Sequence, residues 1–320
     1  MTKKVLITGG AGFLGTYAVE KYLSEGWEVT VIDNFSTAVI PKDDALLGKV
    51  KLIENDILNV DTSALGKFDL LVHLASPVGP VGILKHSGLM AKYILDDIYW
   101  AIDCAKNNKC PLIFVSTSEI YGYRPTPVLL KEDDDKLLTG DYKVRNEYSM
   151  AKLLAEIVLS NTAKVSNINY QIIRPFNISG ARQLMTGGFV LPTFVNQALG
   201  KKDITVFGNG EQVRAFTHVK DIIDGIYLTS ITDKMNQIWN IGNADNTTTI
   251  NDMAQRVKAY TKTESKIIKV DPKTIHGPLY EEAWDKIPDA NKIKNELGWK
   301  PKYDVDYIIN DVISYYESKC

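Results

Sequence analysis

The chain has 320 residues, 45% of them hydrophobic and 24% charged, enough for one large α/β unit or a domain carrying a smaller lobe. A formal net charge of −2 and a pI near 6.1 leave no basic surface suited to nucleic acid. No apolar run could span a bilayer, the N-terminus enters a strand pattern without signal-peptide character, and Cys104, Cys110 and Cys320 lack metal-ligand or redox spacing. These features predict a cytoplasmic protein with no membrane partner and no structural disulfide.

In chain order, an apolar strand over Val5–Thr8 runs into Gly9-Gly10-Ala11-Gly12-Phe13-Leu14-Gly15, and Ala18, Val19, Tyr22 and Leu23 follow at helical spacing up to Gly26. A strand feeding a glycine-rich turn into a helix is the arrangement that holds a dinucleotide pyrophosphate. Gly9 and Gly10 are expected to make the turn, Gly12 to admit the phosphates and Gly15 to let helix pack on strand. A second strand, Val29–Ile32, ends in Asp33, about 20 residues beyond the turn, where a carboxylate accepts from the adenosine ribose hydroxyls. Such an acid repels the extra phosphate of NADP, so the predicted cofactor is NAD.

Further strands are predicted at Lys51–Glu54, Leu70–His73, Leu112–Ser116 and Tyr170–Ile173, with helices over about 88–107 and 147–164. Apolar strands alternating with helices indicate a doubly wound, Rossmann-like parallel sheet, whose ligands lie beyond the carboxyl ends of the strands. Residues 1–175 are read as the dinucleotide domain, with 213–243 contributing and Asn236–Ile241 as a possible last strand. Residues 176–320 are read as a second, smaller C-terminal lobe ending in an apolar stripe, Val305 to Ile313, with Asp304 as the expected N-cap. The histidines are too few and scattered for a metal site.

Two motifs carry chemistry. Tyr148 and Lys152 lie four apart on one helix face, where an ammonium is expected to lower the phenol pKa and prepare a base for an alcohol proton. Thr117, Ser118 and Glu119 follow a buried strand, where hydroxyls can relay a proton and a carboxylate can act on a neighbouring carbon.

Taken in order, the glycine turn, Asp33, Asn55-Asp56, His73-Leu74-Ala75, Ser116 to Gly122, Tyr148-x3-Lys152 and Arg174-Pro175-Phe176-Asn177 resemble the extended short-chain dehydrogenases/reductases. Within these, the resemblance is to the NAD-dependent nucleotide-sugar epimerase/dehydratase family, and it covers nearly the whole chain. It implies a bound NAD, a nucleoside-diphosphate sugar in the C-terminal lobe and a homodimer built on the two long helices. It implies cofactor contacts from Gly9, Gly12, Phe13, Leu14 and Gly15, from Asp33, Asn34, Asp56 and Ile57, and from Leu74, Ala75 and Ser76. Tyr148 would be the base, Lys152 would bridge to the nicotinamide ribose, and Asn177 would meet the sugar diphosphate. Arg214, in a stretch resembling the family's nucleotide-gripping segment, is the further diphosphate candidate, because a guanidinium fork matches phosphate oxygens. Relatives frequently carry arginine before the Pro288-Asp289 pair; Lys286-Ile287 here argues against a second phosphate contact.

The shared first step implied is oxidation at C4 of the sugar. Re-reduction then gives an epimer, loss of water a dehydratase product, and loss of carbon dioxide a decarboxylase product. Thr117-Ser118-Glu119 resembles both the UDP-glucuronate decarboxylases and the GDP-mannose 4,6-dehydratases. Arg145, in an Arg-x-x-Tyr pattern, resembles the decarboxylases and could meet a carboxylate, whereas Asn177–Pro192 looks more like 4-epimerases. Decarboxylation is placed ahead of epimerisation and dehydration. A short-chain alcohol dehydrogenase or ketoreductase, or a non-catalytic NAD-binding protein, are the readings from other classes.

Overall fold

A computed structural model describes residues 2–319 except 125, 140, 141, 281 and 284; Cys320 falls outside the described residues. Seven parallel strands form the central sheet: β1 (Lys4–Thr8), β2 (Glu28–Asp33), β3 (Lys51–Glu54), β4 (Leu70–His73), β5 (Leu112–Val115), β6 (Tyr170–Pro175) and β7 (Gln237–Ile241). Their spatial order is β7-β6-β5-β4-β1-β2-β3. The winding direction reverses between β1 and β4, and a sheet of this kind opens its cleft there, beyond the strand ends. Both loops at that point, Gly9–Gly15 and His73–Ser76, carry residues singled out from the sequence. The last strand expected at Asn236–Ile241 is β7, an edge strand beside β6.

Alternation along each strand splits the core into two layers. Leu6, Ile32, Leu71, Phe114 and Ile172 face helices α2 (Met90–Asn108) and α3 (Val144–Ser166). Val5, Ile7, Val31, Val72 and Ile173 face α1 (Phe13–Ser24), and the later helix Val219–Ser230 packs into the same layer through Ile222, Ile223 and Ile226. Burying each such aliphatic side chain contributes about 1.5–3 kcal/mol. A third core, around Leu191, Phe194, Met253, Val257, Ile308 and Val312, is built from the C-terminal half of the chain.

Local signals explain the helix ends. Gly26, at φ +79°, ends α1 and donates to Leu23 O; Lys109 and Asn167 end α2 and α3 in the left-handed region. Asp304 caps the C-terminal helix Val305–Glu317 by accepting from Tyr307 N at 2.7 Å. The start of α2 is capped from elsewhere: Glu147, in the first turn of α3, accepts from Gly88 N and Ala91 N at 2.7 and 3.2 Å. A carboxylate there satisfies orphan donors and complements the helix dipole, and it fixes the first turn of α3, which carries Tyr148. Among the described residues, no helix is long and apolar enough to cross a membrane.

Candidate active site

The glycine turn is built by close approach. Gly9, at φ +72°, sits so near the end of β4 that a β-carbon would stand 2.9 Å from Ala75 N. The other glycines divide the work differently from the sequence expectation. It is Gly10 that packs on a strand, since a β-carbon there would stand 2.6 Å from Val31 Cγ1, whereas Gly15 makes room for the Gly9 carbonyl, 1.9 Å from where its β-carbon would be. Gly12 is the N-cap of α1, and no side chain caps that helix. The N–H groups of its first turn therefore face the cleft with the positive end of the helix dipole.

The rim of this cradle is held by polar contacts. Asp33 is buried, and its two oxygens accept from Ala11 N at 2.8 Å and Phe35 N at 2.7 Å, which orients the carboxylate at the end of β2. Asn34 Nδ2 donates to Asp56 Oδ2 at 3.0 Å, so these two residues form one edge beside buried Ile57. Across the cleft, Thr8 Oγ1 accepts from Leu74 N and Ala75 N, which leaves its proton for His73 Nδ1 at 2.9 Å. Burial, helped by the Lys152 charge, pushes His73 down to about 3, so the ring is neutral and pins β4 to β1. Ser76 is partly buried, and its Oγ lies 3.5 Å from Pro77 O.

The chemistry-bearing residues meet between β5 and α3. Tyr148 is buried beside Thr117, whose Oγ1 accepts from Glu119 N at 3.2 Å. Lys152 Nζ donates to Val115 O at 3.1 Å over the Phe114 ring. One expectation fails here. Burial pushes the Tyr148 phenol above its ordinary range and the Glu119 charge adds to this; Thr117 and Arg145 act against it, and Lys152 is not among the charges that move it. Sharing a helix face was therefore not enough: Lys152 is turned to the strand carbonyl. Its own ammonium is brought down to about 8 by burial, against the pull of Asp97 and Glu156. Ser118 is buried in the tight turn Ser118–Tyr121, and Ser116 Oγ beside it is buried with no hydrogen-bond partner among the described residues.

Glu119 lies at the centre of a charged cluster that the sequence did not reveal. Lys286 Nζ donates to its Oε1, and Arg145 Nη1 lies 3.1 Å from Oε2. Burial alone would raise this carboxyl, but the ammonium and the guanidinium outweigh it and hold Glu119 down at about 2. Lys286 is only 2% exposed, and burial brings it down to about 8 despite Glu119. The sequence argues against Lys286 as a phosphate contact, and its place is on the Thr117–Glu119 turn. Its place two residues before Pro288-Asp289 was the available signal.

Beyond this cluster, Asn177 holds φ +36°, a left-handed conformation uncommon for a non-glycine residue, and donates from Nδ2 to Ala215 O at 3.3 Å. Arg214, on the neighbouring strand Val213–Ala215, is 5% exposed. Its Nη2 donates to Glu282 Oε1 at 3.1 Å and Ala283 O at 2.6 Å, and its Nη1 lies 3.6 Å from Asp285 Oδ1. Arg174 is buried behind the site with Glu156, and its remaining donors reach Tyr121 and Glu132 O.

The family described as NAD dependent epimerase/dehydratase matches residues 5–242. The chain belongs to that family. The UDP-N-acetyl-alpha-D-glucosaminuronate decarboxylase of Bacillus cytotoxicus is 31% identical over 99% of this chain and 98% of its own length. The UDP-glucuronic acid decarboxylase 1 of Danio rerio is 30% identical over 98% of this chain and 72% of its own. In fold the chain is similar to a UDP-glucose 4-epimerase of Thermotoga maritima solved with UDP-glucose, at TM-score 0.88 and 24% identity over 99% of both chains. The residues present fit the family's NAD. The cradle is bare where a side chain would block it, the uncapped helix start suits a pyrophosphate, and the buried hydroxyl of Ser116, at the end of β5, has no hydrogen-bond partner among the described residues.

Proposed function

We propose that the chain is an NAD-dependent nucleotide-sugar decarboxylase that works through C4 oxidation of a UDP-glucuronate-type substrate. The observation that supports this most is the pair of cations, Lys286 and Arg145, gathered on Glu119 next to Thr117 and Tyr148. A sugar whose C4 hydroxyl meets Tyr148 and Thr117 carries its C6 group to one side of that contact, and a C6 carboxylate suits this cationic corner.

NAD held in the cradle would supply oxidation at C4 and return the hydride to the C4 ketone after carbon dioxide has left. Tyr148 takes the hydroxyl proton, with Thr117 in the hydrogen-bond path, and Lys152, held on the Val115 carbonyl, is assigned to the nicotinamide ribose. The resulting β-keto acid breaks its C5–C6 bond, leaving as carbon dioxide, and the electron pair moves onto the C4 oxygen. Arg145 and Lys286 hold the carboxylate and balance that negative charge. Glu119 stays ionised at neutral pH, so it positions the two cations and orients water for proton return to C5; Ser118 lines the same turn. Asn177 and Arg214 are assigned to the sugar diphosphate.

Anaerobic incubation with UDP-, GDP-, CDP- and dTDP-linked sugars and uronic acids, followed by mass spectrometry, tests this reading. Loss of carbon dioxide from a nucleotide uronic acid is expected. An isomer of unchanged mass would make the chain a 4-epimerase, loss of water a 4,6-dehydratase, and stoichiometric NADH consumption a simple dehydrogenase.

The same reading carries a cytoplasmic homodimer. Met150, Leu154 and Ile157 form an exposed stripe along α3, and Tyr99 is exposed on the adjoining α2. Sedimentation should give twice the chain mass, and Leu154→Glu should shift it to monomer; a monomeric wild type would refute this. The dinucleotide domain is assigned residues 1–175 with the 213–243 segment that supplies β7, and the substrate lobe the remainder.

A further inference from the structure

We infer that Glu282 and Asp285 are built-in occupants of the Arg214 anion seat, and that a nucleoside diphosphate binds by exchanging for them. The inference rests on the reading above, in which Arg214 meets the sugar diphosphate.

The geometry is that of an internal substitute ligand. Arg214 lies almost fully buried, and its fork is served by one carboxylate on each terminal nitrogen, Glu282 at 3.1 Å and Asp285 at 3.6 Å. Two neighbouring acids on one guanidinium reproduce the paired anionic oxygens of a diphosphate. They come from a single short stretch. Asp285 Oδ1 also accepts from Val213 N at 2.8 Å, and Tyr280 Oη donates to Glu282 Oε2 at 3.3 Å. Both carboxylates are more than a quarter exposed in their side chains, whereas the arginine is not. The acids can therefore leave towards solvent while the cation stays fixed on its strand.

The exchange links the two ends of the substrate. Lys286 follows Asp285 directly, bridges the backbone of Arg214, and donates from its ammonium to Glu119. Moving Asp285 off Arg214 thus pulls on the residue that holds the catalytic-turn carboxylate. Diphosphate binding at one end re-sets the cationic corner at the other, so the site becomes complete only when a nucleotide is present.

The test is calorimetric titration of the NAD-loaded protein with UDP, comparing the wild type with Glu282→Gln/Asp285→Asn. These changes keep an acceptor oxygen for Arg214 and for Val213 N and remove the competing charge. The dissociation constant for UDP should fall about tenfold, equivalent to about 1.4 kcal/mol. Amide exchange in residues 277–286 of the wild type should quicken on adding UDP. If UDP binds the wild type and the double variant binds it equally or more weakly, the exchange is refuted while the nucleotide reading stands. If UDP binds neither protein, the nucleotide reading falls and the exchange with it. Should the double variant not fold, the wild-type exchange decides: unchanged or slower rates in residues 277–286 would overturn the inference.

Discussion

Tyr148→Phe is expected to lower kcat by about 10³-fold, within the range for losing a positioned acid–base group, while leaving NAD affinity within about twofold. The phenol is buried beside Thr117, so the substitution removes one oxygen and leaves the ring packed. Its elevated pKa sharpens the expectation. A phenol kept protonated by burial and by the Glu119 charge makes a weak base, and turnover then depends on what lowers it when the site is filled. Fluorescence titration with NADH and initial rates on the uronic-acid substrate measure both quantities. Activity within tenfold of wild type would remove Tyr148 from the base role. A matching loss of NAD affinity would make it a packing residue.

Glu156→Ala is expected to destabilise the fold by about 3–5 kcal/mol, because it leaves Arg174 buried without its counter-charge. Arg174 donates through Nε and Nη2 to the two Glu156 oxygens at 3.1 and 2.6 Å, and both side chains are about 97% buried. Nη1 reaches Tyr121 Oη at 2.9 Å, and Tyr121 donates in turn to Asn240 Oδ1 at 2.7 Å on β7. The pair thus ties α3, β6 and β7 together beneath the site. Against a typical stability of about 5–15 kcal/mol, such a loss should be plain in urea midpoints. Replacing both partners, as Glu156→Leu/Arg174→Met, should recover much of it, since no unpaired charge remains. A single variant within 1 kcal/mol of wild type would show that water reaches the arginine.

Much of this was legible because it is local. The glycine turn, Asp33 and the Tyr148–Lys152 spacing each lie within one strand–helix unit, and the apolar runs gave the strands to within about two residues. Burial and long-range pairing were not legible. Helical spacing places Lys152 on the Tyr148 face, yet it does not say that the ammonium turns to Val115 O or that the phenol is dry. Lys286 reaches Glu119 across 167 positions, and Glu147 reaches Gly88 across 59. Nothing in periodicity ties such residues together; the sheet order does, by bringing β5, the start of α3 and the segment before Pro288 to one edge. The same holds for Arg214, whose acidic partners lie about 70 residues downstream in a stretch that reads only as loop.

The decisive observation is a structure of the Tyr148→Phe variant with NAD and UDP-glucuronate, in which slow turnover preserves the substrate. The account requires the C4 hydroxyl at Thr117 and the C6 carboxylate within hydrogen-bond distance of Arg145 or Lys286. A sugar seated with C6 in solvent, or with its carboxylate turned from both cations, would contradict it.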